Sequence, residues 1–246
     1  MTKLGWEIEP VHVVPGKDGA GVLVVCEHAA NDIPSALGDL GLPAELRDSH
    51  IAWDPGALGV AKALAGQLGA PLVHGGISRL VYDCNRPPQA RDAVPEKSET
   101  FDIPGNRELT EAARQDRVDR VYTPFRTRLA AQIADQRPHC LITIHSFTPV
   151  FRGVARQVEI GLLHGRDDRI ARAMMDTAPL GHDIRLNEPY SAADGVAHTL
   201  DLHGAENGIP SVMIEIRNDL LTGPASEAAM AEMLGKWFAR VEEVTA

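Results

Sequence analysis

GVLVVCEHAAN, residues 21–31, is the stretch on which the fold turns. Val22, Leu23, Val24 and Val25 make a continuous apolar, mostly β-branched run, the pattern of a strand buried on both faces. In open α/β sheets, ligands bind in the crevice beyond the carboxyl ends of such strands. Glu27 and His28 stand at that end. Two further apolar runs carry polar residues in the same way, LITIHS at 141–146 and SVMIEIRND at 211–219, and all three are expected to converge on one metal.

Outward from this strand, the first 20 residues read as a polar lead-in with an edge strand at Val11–Val14. After the strand come a turn-rich loop (31–43), a short helix at 44–49 and then AWDPGALGVAKALAGQLGA. Asp54 followed by Pro55 is a strong helix opening, with Asp at the N-cap and Pro at the first helical position. Leu58, Ala61, Leu64, Ala65 and Leu68 supply the apolar face, and Gly69 the stop. One or two short strands in 71–83 complete a βαβ unit, which favours a parallel sheet. The Pro-rich, aperiodic stretch 84–106 is long enough to be functional or mobile. A long helix is expected over 108–135, kinked or broken at Pro124. Strands at 141–146, 158–165 and 211–216, with a strand and loop at 183–195, are interspersed with helices near 166–177, 198–208 and 225–244. With no repeat, low-complexity tract or linker, residues 1–246 read as one α/β domain.

At 44% apolar, 24% charged and 4% aromatic residues, the chain has an ordinary globular composition and a core of aliphatic side chains. The net charge of −10 argues against nucleic acid or an anionic membrane as partner. The N-terminal residues carry no secretory apolar segment, and no run approaches the ~18 apolar residues of a membrane span. Cys26, Cys84 and Cys140 are odd in number and widely spaced, which supports neither a disulfide framework nor a Cys-rich zinc knuckle. A reducing cytoplasm is the expected location.

Hydrolytic metal sites typically use three His, Asp or Glu ligands and a nearby carboxylate that moves protons. His28, Asp54 and His145 are such ligands at strand ends or a helix start, and Glu215 is such a carboxylate. Each has a plainer reading. Asp54 could serve only as a helix cap, and Glu215, flanked by Met213, Ile214 and Ile216, could be buried in a salt bridge. Together they are more persuasive than singly. Cys26 and His28, two apart on a strand, could instead form a nucleophile–base pair, although a small residue there is usually core. Arg86, with Asn85 beside it, offers a planar fork for a carboxylate; Arg79, Arg156 and Arg217 are further candidates. The run from Arg114 to Arg120 reads as a solvated helix face.

VCEHAANDIP, Trp53-Asp54, RLVYDCNRPP, TIHSFTP, NEPYSAADG and VMIEIRNDL together resemble the N-formylglutamate amidohydrolase family, from about Val22 to Leu221. The resemblance implies a fold similar to the zinc-dependent exopeptidases, a mixed, mostly parallel sheet with helices on both faces. It implies a divalent metal, zinc by the donor set, on His28, Asp54 and His145, with Glu215 as general base. It also implies that Asn85 and Arg86 grip a substrate carboxylate, with Arg79 in reserve. The sequence departs from the family in having Glu27-His28-Ala29-Ala30 at the first ligand turn, where Glu27 is expected to support a neighbouring group. The expected activity is cleavage of the amide of a small acidic N-acyl amino acid, N-formyl-glutamate first. The rivals are another N-acyl substrate, a non-catalytic small-ligand binder and the Cys26–His28 hydrolase.

Overall fold

A computed structural model describes residues 5–245. The strands among them, in chain order, are β1 (Val11–Val14), β2 (Val22–Cys26), β3 (Leu72–Gly75), β4 (Lys97–Ser98), β5 (Phe101–Asp102) and β6 (Cys140–Phe147). They continue with β7 (Val150–Phe151), β8 (Val154–Ala155), β9 (Ile160–Leu163), β10 (Ile184–Leu186) and β11 (Ser211–Arg217). The α-helices are α1 (Ala44–Arg47), α2 (Ala57–Leu68), α3 (Glu111–Arg117), α4 (Thr123–Gln136), α5 (Arg169–Asp176) and α6 (Pro224–Thr245).

Seven strands form one sheet in the order β1-β3-β2-β6-β11-β9-β10. The central four, β3, β2, β6 and β11, run parallel. β1 joins one edge antiparallel to β3, and β9 joins β11 antiparallel with β10 parallel beyond it. All five residues of β2 and all eight of β6 are buried, because side chains of both alternating sets meet a covering layer. Val22, Val24, Ile142, Ile144 and Ile214 pack against α2, α5 and α6 on one face. Leu23, Val25 and Leu141 pack against α4 and the loop after β3 on the other. This is the mixed, mostly parallel, doubly covered sheet expected from the sequence.

Two local expectations are corrected and one is sharpened. α2 begins at Ala57 with Gly56 as its N-cap, and Asp54 is not the cap. The Asp54 carboxylate is committed elsewhere, as described below, and Gly56 takes the turn with φ of 80°. A Cβ at Gly56 would also lie 2.5 Å from the Leu221 Cβ, so a larger residue is doubly disfavoured. At Pro124 the expected interruption takes the form of a π-helical turn (Val118–Tyr122) between α3 and α4, immediately before the residue that cannot donate an N–H. Arg117 is not solvated. It is buried and donates to Val81 O (3.1 Å), Asn106 Oδ1 (2.6 Å) and Gly105 O (3.2 Å). Burial, then the charge of Arg114, pushes its pKa down to about 10.

Arg117 also ties down part of the 84–106 stretch. That stretch contains two 3-10 turns and the small β4–β5 ladder, and Asn106 donates from it to Leu80 O (2.8 Å) and Pro95 O (2.7 Å). Among the described residues no helix is long and apolar enough to cross a membrane.

Candidate metal centre

β2 and β6 are paired neighbours, so the residues beyond Cys26 and those late in β6 reach the same end of the sheet. There the structure brings His28, Asp54 and His145 together, all buried. The His28 and His145 Nδ1 atoms are 3.2 Å apart. Asp54 Oδ2 lies 3.3 Å from the first and 2.9 Å from the second. Asp54 is held in place by its N–H, which donates to His28 O (2.9 Å), and by the Ser146 N–H, which reaches Oδ2 at 3.3 Å.

The outer nitrogens of both imidazoles face carboxylates. His28 Nε2 is 2.7 Å from Asp83 Oδ1, and His145 Nε2 is 3.1 Å from Glu27 Oε2. The second contact is bent, so that neither Glu27 oxygen nor His145 Nε2 has a well-formed hydrogen bond, and the Glu27 side chain is wholly buried. Carboxylates behind ligand histidines fix ring orientation and tautomer, turning the inner nitrogen and its lone pair toward a metal. Glu27 faces His145, across the β2–β6 pairing, rather than its neighbour His28. Alternation explains this: Glu27 continues the set of Leu23 and Val25, which shares a face of the sheet with Leu141. The sequence showed that Glu27 needed a partner but not which one.

Arg79 closes the network. Its Nη1 is 3.3 Å from Asp54 Oδ1 and its Nη2 is 2.8 Å from Asp83 Oδ2. Burial pulls the pKa of His28 down, as does Arg79, but Asp83 and Asp54 outweigh both and hold it above its usual value. Burial likewise opposes protonation of His145, yet Glu27 and Asp54 hold it well above the usual imidazole range. The carboxyls respond oppositely. Burial would raise them, but the facing cations keep Glu27 low and Asp54 and Asp83 far below the carboxylate range.

Two ring nitrogens and a carboxylate oxygen within 3.3 Å of one another form a dense set of lone-pair donors. The donors are buried, and their outer nitrogens are turned toward carboxylates. This N,N,O set fits a divalent first-row metal.

Glu215 is different. It pairs in register with His145 across β6–β11, is buried, and its Oε2 has no hydrogen-bond partner. Burial, opposed by His145 and reinforced by Asp54, lifts its pKa to about 7. On its other side it pairs with Gly161 of β9, where a Cβ would sit 2.0 Å from Glu188 O. The missing side chain lets the 188–190 segment close over the strand and brings Tyr190 near Glu215, whose charge raises the Tyr190 pKa after burial.

The cluster and Glu215 line a cavity of about 910 Å³. Arg156 lines it too, with its guanidinium carbon 4.5 Å from the Phe151 ring centre, 4.8 Å from Tyr190 and 5.4 Å from Phe147. Nη1 of Arg156 donates to Thr148 O at 3.3 Å, and among the described residues no ion pair is formed by this side chain. Arg86 lines the cavity while paired to Asp92 (2.8 Å) and bonded to Asn85 O (3.1 Å). The Asn85 amide staples a distant segment, donating to Val196 O (2.6 Å) and accepting from Thr199 N (3.0 Å). Arg217 lies outside the cavity lining. It is engaged with Asp219 (2.8 Å), Glu159 (3.5 Å) and the carbonyls of Arg156 and Gln157, which corrects its assignment as a substrate residue.

Cys26 does not line the cavity either. It is fully buried against the α2 face, and burial, followed by the charges of Asp54 and Glu27, pushes its thiol pKa well up. A thiol kept protonated in the core is a poor nucleophile.

A family model for N-formylglutamate amidohydrolase matches residues 20–222. Among solved structures, a gene product of Agrobacterium tumefaciens is similar at 45% sequence identity with a TM-score of 0.93, the match covering 97% of each chain. An N-formylglutamate amidohydrolase from Ralstonia eutropha is similar at 19% identity with a TM-score of 0.66, covering 96% of this chain and 98% of that one. At that identity the likeness is one of fold. No curated protein matches.

Proposed function

The chain belongs to the N-formylglutamate amidohydrolase family, and from that premise we propose that it is a metal-dependent amidohydrolase of small acidic N-acyl amino acids. The observation that carries this is Glu215, a buried carboxylate with one unpartnered oxygen and a pKa near 7, paired beside His145 of the N,N,O cluster. His28, Asp54 and His145 would hold a divalent metal, zinc by the donor set, and such a cation supplies positive charge that polarises a carbonyl and acidifies water.

The protein's own groups do the rest. Glu215, with a pKa close to neutral, takes the proton from the attacking water and returns it to the leaving amine, since one group can serve both steps when its pKa matches the working pH. Glu27 and Asp83 keep the two imidazoles oriented, and Arg79 holds Asp54 and Asp83 in register. Arg156, stacked over aromatic rings and, among the described residues, without an ion pair, is the cation best placed to bind the substrate carboxylate. Arg86 is a second cation in the cavity lining, with Asn85 beside it. The three cysteines are buried and, among the described residues, form no disulfide, which suits a reducing compartment, and we place the protein in the cytoplasm.

The test is to strip the protein with a chelator, reload it with zinc, manganese or cobalt, and follow formate release from N-formyl-glutamate and amine release from N-acetyl-glutamate. Turnover restored by metal supports the reading. Full turnover after stripping, or none with any metal on any N-acyl amino acid, overturns it.

A further inference from the structure

We propose that Asn85 is a positioning residue for the metal centre, holding the carboxylates behind both ligand histidines, and not a ligand of the substrate. The inference rests on the metal-dependent reading above and names what keeps the two imidazoles oriented in it. Asn85 is buried, and each of its four polar atoms has a partner within the protein.

Toward His28 the connection is direct. Asp83 Oδ1 accepts the Asn85 N–H at 2.9 Å and faces His28 Nε2 at 2.7 Å, so one oxygen is held from behind and presented in front. Toward His145 there is one more step. The Asn85 side chain clamps the segment 196–199, donating from Nδ2 to Val196 O (2.6 Å) and accepting from Thr199 N at Oδ1 (3.0 Å). That segment leads into a π-helical turn (Leu200–Gly204), which packs on Leu163 and Met213 through Leu200. Thr199 is buried, and its hydroxyl is turned to the Glu27 carboxylate, which faces His145 Nε2 at 3.1 Å. Burial opposes ionisation of Glu27, while His145, then His28, then the Thr199 hydroxyl favour it.

A carboxylate behind a ligand histidine sets the orientation of the ring. A residue that fixes both carboxylates therefore sets the geometry of the pair. Asn85 does line the cavity, but turning its amide to a substrate would release the clamped segment and, through it, Glu27. Neither Thr199 nor Glu27 lines the cavity, so the route to His145 is separate from any contact with substrate.

The experiment strips the parent protein and its variants with a chelator, then titrates zinc against a chromophoric chelator with no substrate present. Thr199→Val keeps the shape and the N–H bound by Asn85 but lacks the hydroxyl, and zinc affinity should weaken by ~10-fold. Thr199→Ser, which keeps the hydroxyl, should stay near the parent. Asn85→Ala should weaken zinc binding by ~10–100-fold. In a Glu27→Gln background, Asn85→Ala should add less than about twofold, because both changes act along one route. Factors that multiply overturn the inference. So does unchanged zinc affinity in Thr199→Val, a test that holds even if Asn85→Ala fails to fold. An Asn85→Ala protein with parental zinc affinity and a raised KM for N-formyl-glutamate overturns it as well, in favour of a substrate contact, and leaves the amidohydrolase reading standing. A parent protein that takes up no zinc overturns the zinc-based reading instead.

Discussion

His145 and Glu215 face each other in register on adjacent strands, yet one sits in a network of opposed charges and the other stands apart from it. Around His145, the cluster of His28, Asp54, Glu27, Asp83 and Arg79 alternates positive and negative groups at 2.7–3.3 Å. Every charge is opposed, and the shifts run toward ionisation of all partners. At Glu215 the burial is the same but, among the described residues, no ion pair is formed, and the shift runs toward the neutral acid. Burial alone therefore decides neither outcome. What decides is whether the fold supplies a counter-charge, and here it builds a rigid, charged floor beside a carboxylate left free to exchange a proton.

Removing the floor should have the largest effect. Asp54→Ala takes away the oxygen donor and leaves His28, His145 and Arg79 as neighbouring cationic groups. Metal content, measured by atomic emission after desalting, should fall to the level of a chelated sample, and turnover to background. A variant that kept its metal would show that Asp54 is only a structural carboxylate.

Glu215→Gln should separate the two regions. Metal content should stay as in the parent protein, while kcat drops by ~10²–10⁴-fold, the usual range for loss of a general acid–base group. Because Glu215 must be ionised to accept a proton, turnover should rise with pH through its pKa. A bound cation favours the carboxylate, so the midpoint is expected at or below about 7. The rate limb should vanish in the variant. Metal loss on acidification should persist, since the protons on His28 and His145, both held above their usual pKa values, compete with metal.

Glu27→Gln tests the supporting layer behind His145. It keeps the shape but removes the charge, and metal affinity should weaken by ~10–100-fold, as when other carboxylates behind ligand histidines are removed. Competition against a chromophoric chelator measures this without reference to turnover. Equal affinity would mean that Glu27 is a passive buried group. Cys26→Ala should matter least. Turnover should survive and resist iodoacetamide, with a stability cost of about 1 kcal/mol read from denaturant unfolding.

Local patterns carried much of this. The β-branched run at 22–25 and the apolar runs ending near His145 and Glu215 were legible because a buried strand must be apolar on both sides. The ligand types at their ends were legible because few groups bind metals. Errors arose where local chemistry had a second use for a residue. Asp54-Pro55 looks like a helix start, but a carboxylate facing two imidazoles cannot also cap α2. The charged run around Arg117 looks like a solvated face, but Asn106 and two carbonyls compensate its burial.

The sequence by itself determined the strands of the seven-stranded sheet, their order along the chain and the residue types waiting at their ends, because periodicity and turn chemistry act over a few residues. Only the tertiary structure decided which imidazole nitrogen faces the cluster, that Glu27 serves His145 and that Arg79 clasps two carboxylates. It also decided that Arg217 is spent outside the cavity while Arg156 lines it with no ion pair among the described residues. The reason is physical: those assignments depend on strand order and register, which bring together residues as far apart in sequence as His28 and His145, and no local pattern encodes a contact at that separation.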